Sequence, residues 1–306
     1  MTATDDAPAL VAVMGPTASG KTSLAERLAD EVGAQLVNAD AFQVYRGLDI
    51  GTGKPTEKDR YRLLDIVDPW EPFGVGEWVV RAADELRAAW EARRTAVVVG
   101  GTGLYVRALF ESYREMRPPP DPALRREIAE MEKREGFPAL VSRLVKLDPH
   151  TTVDRTNPVR VRRALERLID PRPPIRFEIP PFRILKVGIA PPKQELHERI
   201  NRRVESMLKA GWLEEVRDLV AKGVTRNCPG MRAIGYRALL DQVLGVSSLQ
   251  DVGVQITAES RQYAKRQMTW LRSEPRLHVL SRFGDESAAL EQTLDWMNNS
   301  LRKNNG

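Results

Sequence analysis

Uninterrupted apolar runs, each leading into glycines and then into apolar residues at helical spacing, recur through the first third of the chain. Ala9-Leu-Val-Ala-Val-Met14 fits a buried strand, and behind it Leu24, Leu28 and Val32 recur at one-turn intervals. Gln35-Leu-Val-Asn38 reads as a second short strand. Thr95-Ala-Val-Val-Val99 reads as a third, ending in Gly100-Gly-Thr-Gly103 and further helical sequence. Strands without alternation, separated by helical stretches, predict an α/β fold with a parallel sheet flanked by helices. Phe182 to Ala190 predicts a strand that rejoins this sheet. A long helix is expected next, with Leu196, Ile200, Val204, Met207, Leu208 and Val216 as its stripe and Arg199 and Arg203 one turn apart beside it. Gly230 to Arg237 reads as a turn opening another helix, and Ile256 to Arg272 as the last long one, with a frayed tail after Asn298.

Two proline clusters interrupt the pattern, Arg117-Pro-Pro-Pro-Asp-Pro122 and Pro171 to Pro181. Neither a helix nor a central strand runs through such sequence, so residues 117–181 are expected to form a small helical insertion domain within a core of 1–116 and 182–306. Inside the insert, Asp154 to Arg167 packs Arg155, Arg160, Arg162, Arg163 and Arg167 into one helix-sized span with only Asp154 and Glu166 as acids, which predicts a net basic surface.

Composition narrows the class without naming it. The 306 residues are 42% hydrophobic and 29% charged, an ordinary globular balance, with a net charge of +5 and an isoelectric point near 9.4. No apolar run approaches the ~20 residues of a membrane-spanning helix, and the first residues carry Asp5 and Asp6, so a cytoplasmic protein is expected. With one cysteine and three scattered histidines, neither a disulfide nor a cysteine or histidine metal cluster is expected.

Candidate chemistry sits where the strands end. Gly15 to Thr22 reads G-P-T-A-S-G-K-T, the spacing of a phosphate-binding loop such as nucleotide-binding proteins use. Its glycines let backbone N–H groups approach a polyphosphate, Lys21 adds a charge, and the Thr22 hydroxyl is placed for Mg²⁺ at a helix start. Asp40 follows the second strand and is expected to face the same crevice. Many nucleotide hydrolases end a strand like Thr95–Val99 in an Mg²⁺-holding Asp; here glycine occupies that place, and Thr102 is the residue with a group to offer a ligand.

Six stretches taken together resemble the tRNA dimethylallyltransferase family: G-P-T-A-S-G-K-T at 15–22, D-A-F-Q-V-Y-R-G-L-D-I-G-T-G-K-P at 40–55, V-G-G-T-G-L-Y at 99–105, R-V-R-R-A-L-E at 160–166, A-I-G-Y at 233–236 and R-Q-Y-A-K-R-Q-M-T-W-L-R at 261–272. The resemblance implies a phosphate-loop core and transfer of a five-carbon isoprenoid from dimethylallyl diphosphate to the exocyclic N6 amine of adenosine 37 in the tRNA anticodon stem-loop. It implies Asp40 as general base, with Lys21 and Arg203 completing the catalytic set. The diphosphate site is then Gly15, Pro16, Thr17, Ala18, Ser19, Gly20, Lys21, Thr22 and Arg203, with Mg²⁺ at Thr22. The tRNA contacts are Asp40, Ala41, Phe42, Gln43, Thr102, Arg125, Val159, Arg160, Val161, Arg162 and Arg163. The chain departs from the family in Ala41, where Ser is usual, and in a shortened stretch between Glu166 and Ile184.

These residues suit that chemistry. An allylic diphosphate ionises at C1, so the loop, Lys21, Arg203 and Mg²⁺ would stabilise charge on the leaving group while Asp40 takes the amine proton and Gln43 offers its amide to the adenine. The protein is expected to act as a monomer. Two rivals share the loop: a small-molecule or nucleoside kinase, which has no need of the basic insert, and a nucleic-acid-binding NTPase, which would want an acid after Val99.

Overall fold

The structure is a computed structural model that describes residues 6–110, 118, 121–246 and 248–303. The chain divides into two compact units, one of residues 1–112 and 177–306 and one of 113–176. In chain order the elements are β1 (Ala9–Met14), α1 (Lys21–Val32), β2 (Gln35–Asn38), β3 (Tyr61–Arg62), α2 (Val75–Glu91), β4 (Ala96–Gly100) and α3 (Gly103–Phe110). The second unit holds α4 (Pro122–Glu135), α5 (Phe137–Leu147) and α6 (Pro158–Ile169). The first unit resumes with β5 (Arg183–Ile189), α7 (Lys193–Lys209), α8 (Trp212–Ala221), α9 (Tyr236–Val243), α10 (Leu249–Arg272), β6 (His278–Leu280) and α11 (Ser287–Lys303).

The described strands of the first unit form one parallel sheet in the order β3-β2-β4-β1-β5-β6. Every residue of β1 is buried, which is why its sequence is apolar throughout: it pairs with β4 on one side (Val13 opposite Val99) and β5 on the other (Val13 opposite Val187). Parallel pairing brings the carboxyl ends of β1, β2 and β4 to one edge. The phosphate-loop sequence, Asp40 and Gly100–Thr102 therefore emerge side by side.

The expected helix over 196–216 is two helices. Gly211, at φ +98°, ends α7 and starts α8 at a new angle, a backbone state open to glycine and strained for other residues. The last long helix starts earlier than expected, at Leu249, where the Ser248 side chain accepts from Asp251 N at 3.2 Å. Beyond it α11 runs to Lys303, packs against α1 and buries Ala289, Thr293 and Met297, so residues 299–303 of the expected frayed tail are helix and the rest lie outside the described residues.

The motif D-I-G-T-G-K-P proves to be a braced loop. The Glu215 carboxylate on α8 accepts from the backbone N–H groups of Asp49 (2.9 Å), Ile50 (2.7 Å) and Gly51 (3.4 Å) and from the Tyr236 hydroxyl (2.6 Å). Lys54 is buried between the Asp49 and Asp65 carboxylates and the Tyr45 carbonyl. The A-I-G-Y motif belongs to the same brace through Tyr236.

In the second unit, prolines open all three helices, where a missing N–H costs nothing. Asp121 caps α4 and Asn157 caps α6. Leu124, Ile128, Leu140, Leu144, Val161, Ala164 and Leu165 form its core. The arginine-rich span is therefore a turn followed by a helix: Asp154 accepts from Thr156 and Arg155 precedes the α6 cap.

Candidate active site

The phosphate loop makes its turn through two left-handed residues, Ala18 at φ +63° and Gly20 at φ +83°. Thr17, Ala18, Gly20, Lys21 and Thr22 line a cleft of about 1120 Å³ with Asp40, Gln43, Arg203 and Tyr263. Gly15, Pro16 and Ser19 are buried beneath the loop and shape it from behind. The Thr17 N–H is also withdrawn from ligands, since it donates to Gln267 Oε1 at 2.8 Å.

Three charges face one another in this cleft. The Lys21 ammonium is pushed down to about 8 by burial, with Arg203 acting in the same direction and the Asp40 carboxylate opposing both. Burial also holds the Arg203 guanidinium below the usual arginine range, again opposed by Asp40. Neither cation forms an ion pair among the described residues. Room for Arg203 comes from Gly53, at φ +61°, where a Cβ would collide with the guanidinium. Gln43 Nε2 fixes that glycine by donating to the carbonyls of Thr52 and Gly53, both at 3.1 Å. The amide nitrogen of Gln43 is thus spent inside the protein, and its Oε1 is the atom left for a ligand.

Asp40 is held by its own turn. Its N–H donates to Asn38 Oδ1 (3.1 Å) and its Oδ1 accepts from Phe42 N (2.9 Å), while Oδ2 has no hydrogen-bond partner among the described residues. Asn38 is buried and further fixed by donating to Leu63 O (3.0 Å) and accepting at its own carbonyl from Trp78 Nε1 (2.8 Å). Thr102 Oγ1 accepts from Ala41 N at 3.1 Å. The hydroxyl expected to offer itself to a ligand is therefore already engaged in holding the turn after Asp40. At Gly100 a Cβ would collide with the Ala39 carbonyl, so the hydrolase aspartate has no space here.

Among the described residues no group of three or more His, Cys, Asp or Glu is placed to hold a metal. The Thr22 hydroxyl lines the cleft and has no hydrogen-bond partner among them. Such a setting suits Mg²⁺, which keeps its waters and binds through few protein oxygens together with substrate phosphates.

The candidate tRNA residues of the second unit divide into three kinds. Val161 is fully buried in that unit's core, which removes it from any surface contact. Arg162 is forked onto Glu132 (2.6 and 2.7 Å) and Arg125 pairs with Glu166 (3.2 Å). Val159, Arg160 and Arg163 are exposed, with Arg160 only 4.0 Å from Asp154 at its nearest and Arg163 in no ion pair among the described residues.

A parallel sheet whose central strand feeds a phosphate loop, with an unpaired arginine and a carboxylate across the cleft, defines a phosphate-loop α/β enzyme. The family model described as "IPP transferase" matches residues 43–274, and "Isopentenyl transferase" matches 8–63. The tRNA dimethylallyltransferase of Syntrophobacter fumaroxidans is 38% identical over 309 residues, covering 96% of this chain and 90% of its own length. That of Geobacter metallireducens is 39% identical over 279 residues, covering 87% and 90%. The crystal structure of the tRNA isopentenylpyrophosphate transferase of Bacillus halodurans superposes with a TM-score of 0.71 at 32% identity, covering 96% of this chain and 97% of that one. A eukaryotic dimethylallyltransferase acting on tRNA shares the fold, with a TM-score of 0.78 at 22% identity over 97% of this chain and 80% of its own. The chain belongs to the IPP transferase family and is a prenyl transferase, which decides against the kinase reading.

The state of Lys21 makes anion binding depend on pH. The lysine carries its proton below about pH 8 and loses it above. A diphosphate favours the charged form, so affinity is full below that pH and declines above it by up to about tenfold per pH unit. Pyrophosphate titrations between about pH 7 and 9.5 are expected to show this decline in the native protein and to lack it in Lys21→Met, apart from the ligand's own ionisation. Parallel curves for the two would remove Lys21 from the titration.

Proposed function

We propose that this protein transfers the dimethylallyl group of dimethylallyl diphosphate to the N6 amine of adenosine 37, beside the tRNA anticodon, and releases diphosphate. The observation that carries the reading is the convergence of Lys21 and Arg203 with Asp40 in one cleft. The relatives named as tRNA dimethylallyltransferases support tRNA as the acceptor. We take the protein to work as a cytoplasmic monomer; no helix among the described residues is long and apolar enough to cross a membrane.

In the proposed reaction the C1–O bond of the allylic diphosphate breaks and its electron pair leaves with the diphosphate. The loop N–H groups, Lys21 and Arg203 take up the growing negative charge in a fixed arrangement, commonly the largest catalytic contribution. Mg²⁺ held through Thr22 and the phosphates would add positive charge at the same oxygens. The adenine N6 forms the new bond to C1, and its proton passes to Asp40. The remaining N6–H suits the open Oε1 of Gln43. Entry of the adenine into the cleft requires it to leave its stack in the anticodon loop.

In the second unit, the exposed Arg160 and Arg163 are proposed to neutralise tRNA phosphates. Changing both to Ala is expected to lower the magnitude of the log affinity against log salt slope by one to two contacts, each worth about 0.7 on single-stranded RNA. Arg162→Ala is expected to lower the melting temperature instead, because it leaves Glu132 unpaired. An unchanged slope in the double variant would contradict a phosphate-binding role.

The reaction itself is tested by single-turnover transfer with label on either dimethylallyl diphosphate or ATP. Label from the isoprenoid is expected on tRNA, and none from ATP. Asp40→Asn is expected to slow transfer by about 10²- to 10⁴-fold with both substrates still bound. A tRNA-independent transfer from ATP would overturn the reading, and a native rate in the variant would remove Asp40 as the base.

A further inference from the structure

The leaving-group cradle and the base stand on different strands, β1 and β2, and the chemistry requires them at a fixed separation. What spans the gap comes from α10. Gln267 is 6% exposed and places its carboxamide between two backbones: Oε1 accepts from Thr17 N in the phosphate loop (2.8 Å), and Nε2 donates to Gly101 O after β4 (2.9 Å). A Cβ on Gly101 would collide with Nε2, so the glycine is what admits the amide. One turn earlier, the Tyr263 hydroxyl lies beside both Gln267 and Thr102. Thr102 in turn holds Ala41 N, next to Asp40.

We propose that Gln267 is a positioning residue that sets the register between phosphate loop and base, through Thr17 on one side and through Gly101, Thr102 and Ala41 on the other, with Tyr263 beside them. A carboxamide suits the task because it offers an acceptor and a donor in one planar group; Glu would set an oxygen against the Gly101 carbonyl, and an apolar isostere would satisfy neither backbone. Gln267 reaches the wall of the cleft, but its Oε1 and Nε2 are each committed to a backbone partner, which suits it to positioning more than to holding a ligand. Burial, with the Asp40 charge adding to it, keeps the Tyr263 hydroxyl protonated, so it remains available as a hydrogen-bond donor. The role rests on the proposed reaction, since alignment matters only if Asp40 acts on a group attacking at the cradle.

A double-mutant cycle separates alignment from scaffolding. Gln267→Met is expected to slow single-turnover transfer at saturating substrates by about 10- to 100-fold, the scale of a misplacement near 1 Å, with pyrophosphate and tRNA affinities within about threefold of native. In an Asp40→Asn background the same change is expected to add less than about threefold, because there is no longer a base to align. Tyr263→Phe, which removes one hydroxyl, is expected to repeat this non-additivity at smaller amplitude and serves if Gln267→Met does not fold. Multiplicative effects, or a loss confined to diphosphate affinity, overturn the alignment role and leave the proposed reaction standing. A native rate in Asp40→Asn alone removes Asp40 as the base and the alignment role with it, whereas absence of isoprenoid transfer to tRNA by the native protein overturns the proposed reaction too.

Discussion

Two cations confined with a single carboxylate form the constraint on which the rest of the site depends. Lys21 and Arg203 both sit in a cleft where burial works against their charges, and among the described residues Asp40 is the acid that opposes the penalty at both. Charges left unbalanced in a protein interior are costly unless something compensates them, and the compensating group of matching sign and size is a diphosphate. The cleft is therefore organised for an anion that departs with charge, and Asp40 is left on the acceptor side. Asp285, which also lines the cleft, is paired with Arg199 at 2.7 Å.

Holding this arrangement takes much of the first unit. Arg203 lies against Gly53, Gly53 is held by Gln43, and the loop that carries it is braced by Glu215, Tyr236 and the buried Lys54. The turn bearing Asp40 rests on Asn38 and Trp78 from below and on Thr102 from the side. Several motif residues that resemble functional signatures are in this sense supports: they touch the residues that touch the ligand.

The parts legible in the sequence are those with local signals. Apolar runs mark β1, β2, β4 and β5 because these strands are buried on both faces, and the phosphate loop has a fixed spacing. β3 and β6, of two and three residues, are too short to leave a pattern. The break between α7 and α8 did leave one, Gly211, and the apolar stripe masked it. Val161 illustrates a different failure: it falls within an arginine-rich segment, yet its spacing to Ala164 and Leu165 is that of a buried helix face. Gln267 had no local signal to read, because its partners Thr17 and Gly101 lie 250 and 166 residues away.

The stored charge can be tested without any catalysis, by melting the protein with and without pyrophosphate and Mg²⁺ in native and Arg203→Met forms. Methionine keeps much of the apolar stem and removes the unpaired charge. The variant is expected to melt at or above the native temperature when free, and to lose most of the native protein's ligand-induced rise. A variant that melts lower when free and keeps the full rise would contradict the account, since Arg203 would then be a scaffold residue and not a cation held for the diphosphate.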